Sequence, residues 1–409
     1  MPSTSPIYMD NHATTRTDPR VVEAMLPFFA EHFGNAGSIG HSFGDRAREA
    51  VADSTASIAR LLSVEPAEII FTSGATESNN LAIRGVSERN QRRGRHLVSV
   101  RSEHRSVLDP LERLALRDFA VTYLEVEQYG SPRAGWLDPE RVADALRDDT
   151  VLVSVMLANN EIGVIQPIAE IAAVCRHRGV LLHCDATQAV GKIPVDVRAL
   201  GVDLLSFSGH KIYGPKGIGG LLIRAGSPVV RLTPQITGGG QQGGIRSGTL
   251  NVPGIVGLAR ALELCIEELP TEAPRLAELR NRLFEGLCHQ LPEIELCGPA
   301  FDLRDQGNQP IRLSGNLDIT LGNVDGEALL LEMKQLAVSS GATCSANTPG
   351  PSHVLLALGL PEDQARSSLR FGLGRFNTVQ EVDSAIEMVV EASSRLGKLG
   401  YSGRLDFSQ

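Results

Sequence analysis

The sequence has no apolar run long enough to span a bilayer. Residues 1–16 are polar and lack the hydrophobic core of a secretory signal, so a cytoplasmic protein is expected. Basic charge is not in surplus. Thirty-nine Lys and Arg stand against 48 Asp and Glu, and the net charge is −9. That balance offers no electrostatic footprint for nucleic acid. Neither a nucleic-acid nor a membrane partner is expected. The six cysteines form no Cys-x-x-Cys pair, which argues against metal-finger and thioredoxin-type sites. Six in 409 residues are too few for a disulfide scaffold. No Gly-x-x-x-x-Gly-Lys-[Ser/Thr] string occurs, since Gly191-Lys192 is followed by Ile193. Nor does Gly-x-Gly-x-x-Gly open a helix after a first strand, so the P-loop and dinucleotide readings fail on context. Internal repeats and low-complexity tracts are absent too.

What is present describes an ordinary globular chain. Hydrophobic residues make up 42% and charged residues 21% of a length that suggests two domains. Seven short apolar segments read as strands: Ile69–Thr72, His96–Val100, Val121–Val126, Val151–Leu157, Val180–Asp185, Val202–Leu205 and Gly219–Ile223. Helical patterns fall between most of them, which predicts an α/β fold with a mainly parallel sheet covered on both faces. Asp18-Pro19 opens a helix expected to reach about Phe33, and another is expected over Gly44–Leu62. Further helices are expected over Val252–Glu268, ending before Pro270, and over Ala273–Gln290. Beyond about residue 266 the pattern mixes helices and short strands. A large domain over 16–265 is therefore expected beside a smaller α+β domain built from 1–15 and 266–409.

In open parallel sheets, ligands bind beyond the carboxyl ends of the strands. The polar clusters of this chain fall there: Ser73-Gly74-Ala75-Thr76, Glu103-His104, Asn159-Asn160-Glu161, Asp185-Ala186-Thr187-Gln188 and Ser208-Gly209-His210-Lys211. The first could seat an anion on a helix N-terminus or simply cap the helix. Asp185 could meet a protonated ring nitrogen or cap the next turn. His104 could stack on a flat cofactor or be an ordinary loop residue. Lys211, in a Gly/Pro-rich turn, could form a Schiff base if its pKa were lowered, or be a solvated surface lysine. Arg370, inside an apolar strand, calls for a carboxylate partner, from the protein or from a substrate. Glu332–Lys334 and the helix near Arg275–Arg282 read as solvated faces. Cys175, Cys184, Cys265, Cys288 and Cys297 sit among apolar neighbours, whereas Cys344 lies in a polar Gly/Pro stretch of residues 339–352.

Together, these clusters resemble pyridoxal-phosphate enzymes of the type I aminotransferase fold, class V, and more narrowly the NifS/IscS-type cysteine desulfurases. The strings that carry the likeness run from Asp10-Asn11-His12-Ala13-Thr14-Thr15 to Ser367–Phe376, and include Phe71–Ser78, Asn159–Gly163, Ser206–Gly217 and Arg246-Ser247-Gly248-Thr249. The resemblance implies pyridoxal 5′-phosphate linked to Lys211. It implies Asp185 at the ring nitrogen, Gln188 at the ring hydroxyl, and His104 stacked on the ring and moving protons. Ala75, Thr76, Ser208 and His210 would hold the phosphate, with Thr249 reaching it from a second subunit of a homodimer. Asn160 and Arg370 would grip the carboxylate of L-cysteine, with Asn35 nearby. Cys344 would take the sulfur as a persulfide, release alanine and pass the sulfur to an acceptor or to an IscU-type iron–sulfur scaffold. No resident metal is implied, although Cys344 could meet a cluster on such a partner. The alternatives are a cysteine, cystine or selenocysteine lyase without a persulfide, and a cofactor-free binding protein.

Overall fold

A computed structural model of the chain describes residues 6–226, 229–305, 307–322, 324–340 and 350–398. Its strands are β1 (Ile7–Tyr8), β2 (Ile69–Thr72), β3 (His96–Val100), β4 (Ala120–Leu124), β5 (Thr150–Ser154), β6 (Leu181–Asp185), β7 (Leu204–Ser208), β8 (Gly219–Ile223), β9 (Ile294–Leu296), β10 (Asn316–Leu321), β11 (Leu336–Ala337), β12 (Ser339–Ser340) and β13 (Ser368–Gly372). Seven form one sheet in the order β2-β8-β7-β6-β5-β3-β4. Only β8 runs antiparallel to its neighbours, so the mainly parallel seven-stranded sheet expected from the sequence is present.

Successive residues of a strand face opposite sides, and each side here has its own core. Leu97, Leu181, Leu204 and Leu221 pack with Leu81, Val86 and Leu111 of two helices. Their neighbours Val98, Leu182, Leu205 and Leu222 pack with Ile58, Leu62, Ile171, Leu258 and Leu262 on the other side. Burial on both faces explains why the central strands are nearly continuous apolar runs. The buried polar exceptions bond one another. Ser154 Oγ lies 2.8 Å from His183 Nδ1, and His183 Nε2 lies 3.0 Å from Ser206 Oγ.

A four-stranded antiparallel sheet, β12-β13-β10-β9, and the parallel pair β1-β11 form the second layer system. Its core joins Ile7 and Met9 from the chain start to Leu283, Leu317, Phe371 and Val389.

Three sequence expectations change. The helix after Asp18 covers Pro19–Met25 and restarts as Pro27–Ala30, because Pro27 has no N–H to continue the ladder. The two helices expected around Pro270 are one 39-residue helix, Val252–Gln290, containing both Pro270 and Pro274. Leu258, Leu262 and Cys265 anchor its first half in the large core, and Leu279, Leu283 and Leu287 anchor its second half in the small one. Burial at both ends outweighs a penalty of about 3 kcal/mol per interior proline. The expected boundary near residue 266 therefore falls inside a continuous helix. Nor is the Arg275–Arg282 face wholly solvated. Arg280 is buried with its guanidinium 4.0 Å from the Phe301 ring centre, and Arg275 donates to the carbonyls of Asn377 and Arg375.

Arg375 ties the two parts together. Its guanidinium meets Asp18 at 2.8 Å, Glu268 at 2.9 Å and Glu272 at 3.0 Å, and lies 4.3 Å from the Tyr213 ring centre. Removing one member of a buried ion-pair cluster leaves uncompensated charge. Arg375→Met is expected to lower stability by about 3 kcal/mol, read as a fall in the urea midpoint of the intact chain.

Candidate active site

Strand ends from β2, β3, β5, β6 and β7, together with the turn after β1, wall a cavity of about 760 Å³. The topology explains the gathering: parallel strands deliver all their carboxyl ends to one edge. Ala75, Thr76, His104, Asn160, Asp185, Gln188, Ser208, His210, Lys211 and Arg370 all line this cavity. Asn35 and Thr249 are exposed and are not among its lining residues, and Asn35 Oδ1 accepts the Gly37 N–H at 2.8 Å. Cys344 lies outside the described residues.

Lys211 closes a single 3₁₀ turn, Gly209–Lys211, directly beyond β7. Its Nζ donates to the carbonyls of His12 at 2.5 Å and Ala13 at 2.7 Å. Burial, followed by the nearby Arg370 cation, brings its pKa down to about 8; Asp10 and Asp185 pull the other way. The solvated-lysine reading is thereby set aside.

Asp185 ends β6 and does two jobs. One oxygen accepts the Thr187 N–H at 2.9 Å, which is the turn-capping role. The other accepts from Asn79 Nδ2 at 2.7 Å, and Asn79 also donates to Ser106 Oγ at 2.8 Å. The Ser106 hydroxyl lies 2.8 Å from His104 Nδ1, which also accepts the Ser106 backbone N–H at 3.1 Å. An Nδ1 that accepts leaves the proton of neutral His104 on Nε2. The ring is exposed to the cavity, yet desolvation within it lowers the pKa of this histidine while Asp185 partly opposes the shift, which favours the neutral ring.

At the other end of the cavity, the helix Ala75–Asn90 begins after Gly74, which gives it no side-chain cap. Gly74 has φ +149°, and a Cβ on Gly219 would lie 2.7 Å from its Cα, so both positions need glycine for β8 to pass. The helix start, Ser208 and His210 together form a concave polar end suited to an anion. Burial and Lys211 lower His210 to about 4.

Arg370 has the carboxylate it called for. Its Nη2 meets Asp10 Oδ1 and Ser339 Oγ, both at 2.8 Å, and its Nη1 donates to the Asn160 carbonyl at 3.1 Å. Asp318, its register partner on β10, also lines the cavity. Its Oδ1 is buried without a hydrogen-bond partner, and burial raises its pKa well above the usual range.

A family profile described as Aminotransferase class-V matches residues 7–384. The chain belongs to the class-V aminotransferase family. Within the family, cysteine desulfurase IscS of Anaeromyxobacter dehalogenans (strain 2CP-C) is 50% identical over 394 residues, covering 96% of this chain and 94% of that protein. Cysteine desulfurase IscS of Rickettsia africae (strain ESF-5) is 45% identical over 396 residues, covering 97% and 93%. Among solved structures, a NifS-like protein superposes with TM-score 0.86 at 37% identity, over 96% of this chain and 100% of that one. SspA in complex with cysteine superposes with TM-score 0.76 at 34% identity, over 91% and 100%.

Several residues of this class-V site carried no role in the sequence reading. Asn79 and Ser106 are two of them; the Asn79 contacts to Asp185 and Ser106 span 106 and 27 residues of the chain. Asp10 and His12 lie in the segment Asp10–Thr15, and only the fold shows that this turn closes the cavity. For the amine, the sign is plain: a lowered pKa means Lys211 is neutral above about pH 8. In the chain freed of bound small molecules, its labelling by an amine-selective reagent should rise through about pH 8. Arg370→Gln should move that midpoint upward. Peptide mass spectrometry across a pH series reads both.

Proposed function

We propose that this protein is a pyridoxal-phosphate-dependent cysteine desulfurase, converting L-cysteine to L-alanine with its sulfur held as a persulfide on Cys344. The observation that carries the reading is the buried Lys211 amine in one cavity with Asp185, His104 and Arg370. Relatives named cysteine desulfurase, at 45–50% identity over nearly the whole chain, support the same reading.

The residues present fit the cofactor. Lys211 supplies an amine, Asp185 an acid for the ring nitrogen, and Gln188 an amide for the ring hydroxyl. The uncapped helix start with Ser208 and His210 suits the phosphate. One feature is suited to an occupant: Thr187 Oγ1 is buried without a hydrogen-bond partner. When bound, the cofactor supplies an electron sink for charge developing beside the substrate nitrogen. The other tasks belong to the protein. Arg370, with Asn160 beside it, holds the substrate carboxylate. Lys211, once its amine is free, takes a proton at Nζ. His104 holds a proton on Nε2 within the cavity.

The chemistry of the other five thiols supports Cys344, the position the family resemblance implies, as the thiol that takes the sulfur. Burial pushes Cys175 and Cys265 up to about 12, and raises Cys184, Cys288 and Cys297 as well. A thiolate is the nucleophile, and none of these five lines the cavity. In the overall exchange, the thiol of Cys344 and L-cysteine give a Cys344 persulfide and alanine, with no external oxidant. After brief exposure to L-cysteine, mass spectrometry should locate one added sulfur on Cys344, with alanine released. Cys344→Ser should lose both products and Lys211→Ala should lose borohydride-reducible cofactor. A Cys344→Ser variant giving pyruvate and ammonia at the native rate would instead support the lyase reading.

A homodimer is part of the same proposal. Leu26, Phe29, Phe33, Ile39 and Phe43 are exposed, with Phe33 at 63% and Ile39 at 83%. In this patch Phe33 and Phe43 pack with ring centres 5.4 Å apart, and Phe28 and Leu250, the chain neighbour of the exposed Thr249, pack on one small cluster with Ala36 and Ala47. A second copy covering the patch would also cover Thr249. Phe33→Asp combined with Ile39→Asp should give a monomer in analytical ultracentrifugation and weaken cofactor retention. An acceptor or scaffold protein for the persulfide and a cytoplasmic location complete the proposal.

A further inference from the structure

Lys192 has no role in the account so far. It follows Gly191, four residues beyond Gln188, and its Nζ lies 2.5 Å from Gln188 Oε1. That oxygen is also 3.1 Å from His12 Nδ1. Gln188 Nε2 donates to the His12 carbonyl at 2.8 Å, and the same carbonyl accepts Lys211 Nζ at 2.5 Å. A continuous contact path thus runs from Lys192 through Gln188 and the His12 carbonyl to the reactive amine.

This path fixes chemistry, not only position. An ammonium has donors and no acceptor. Its contact therefore decides which end of the Gln188 amide is oxygen. His12, which burial keeps neutral, donates from Nδ1 to the same oxygen. The amide nitrogen then spends one N–H on the His12 carbonyl and keeps one in reserve. Because Gln188 lines the cavity, that reserve donor is available to a ligand there. Lys192 itself lies behind, among Lys211, Arg370, Glu272 and the Cys265 thiol.

We propose that Lys192 is a positioning residue: through Gln188 it orients and polarises the donor that meets the cofactor's ring hydroxyl, so its charge sets the protonation of the bound cofactor. The proposal rests on pyridoxal phosphate being held at this site. Burial, followed by repulsion from Lys211, lowers Lys192 to about 7, while Cys265 and Glu272 oppose the shift. With the Lys211 amine free, its charge is therefore lost as pH rises through about 7, and removing that repulsion by linking Lys211 to the cofactor extends the charge to higher pH. A cation near the ring hydroxyl favours the ionised oxygen and so disfavours the protonated cofactor.

The test is a pH titration of the near-visible absorbance of the holoenzyme, without substrate, for the wild type, Lys192→Met and Lys192→Arg. Cofactor content and circular dichroism are checked in each, and Lys192→Gln replaces the methionine variant if that one fails to fold. Losing the cation should move the absorbance midpoint up by about one pH unit, and Lys192→Arg, charged throughout the titration, should hold it at or below the wild-type value. A neutral variant that is folded, fully loaded and titrates like the wild type would overturn the inference. So would an arginine variant that titrates like the methionine one. A wild-type protein with no borohydride-reducible cofactor would instead remove the cofactor reading beneath it.

Discussion

The site depends on keeping a lysine amine out of water without giving it a carboxylate of its own. Burying a charged ammonium is costly, and a group so placed tends to shed its proton. The chain meets this cost with geometry. Lys211 stands on the carbonyls of His12 and Ala13, and the nearby Arg370 cation makes its own charge still less favourable. Those carbonyls belong to the turn after β1, which enters the small core through Ile7 and Met9. The reactive side chain comes from the end of β7 in the large sheet. The amine therefore exists in its reactive environment only when both cores are assembled, and Arg375, bound to Asp18 and to the long helix, holds them in that relation.

A second constraint shapes the opposite wall. Asp185 is buried, and a buried acid is tolerable when its oxygens are bonded. The Thr187 N–H and the Asn79 amide do this, and Asn79 extends the same network through Ser106 to His104. One amide thus couples the acid that would face the cofactor ring with the imidazole that would work beside it. Glu103, next to His104 in sequence, behaves oppositely. Burial and the neighbouring Asp185 raise its pKa far above the ordinary carboxylate range, so it adds no second negative charge under the site.

The sheet was legible because its residues obey a short-range rule. Strands buried on both faces are nearly continuous apolar runs, and most of the seven stand out for that reason. The clusters at their ends were legible because a parallel sheet places them together whatever the loops do. Pro270 was misread because local propensity points to a break, while the burial that overrides it comes from two separate cores. Arg280 was misread likewise, since its partner Phe301 lies in another segment. Asn79 and Ser106 escaped notice, and Lys192 was weighed only as a P-loop lysine, for a related reason. A polar side chain on a helix or in a turn carries no local mark of the distant oxygen it bonds.

Charge balance explains why Arg370 can both be held and act. In the cavity its guanidinium already has Asp10, Ser339 Oγ and the Asn160 carbonyl. An incoming carboxylate therefore meets a cation whose plane and position are fixed in advance, so little ordering is left to be done on binding. The same carboxylate would be repelled by further anions. Asp318 stands in register beside Arg370, yet burial and Glu161 raise its pKa and favour the neutral acid, with Arg370 and Arg312 opposing. A neutral Asp318 leaves Arg370 with one fixed anion, Asp10, rather than two. The cation then retains attraction for a substrate carboxylate, and the pocket can select for that group without leaving a bare buried charge when no substrate is bound.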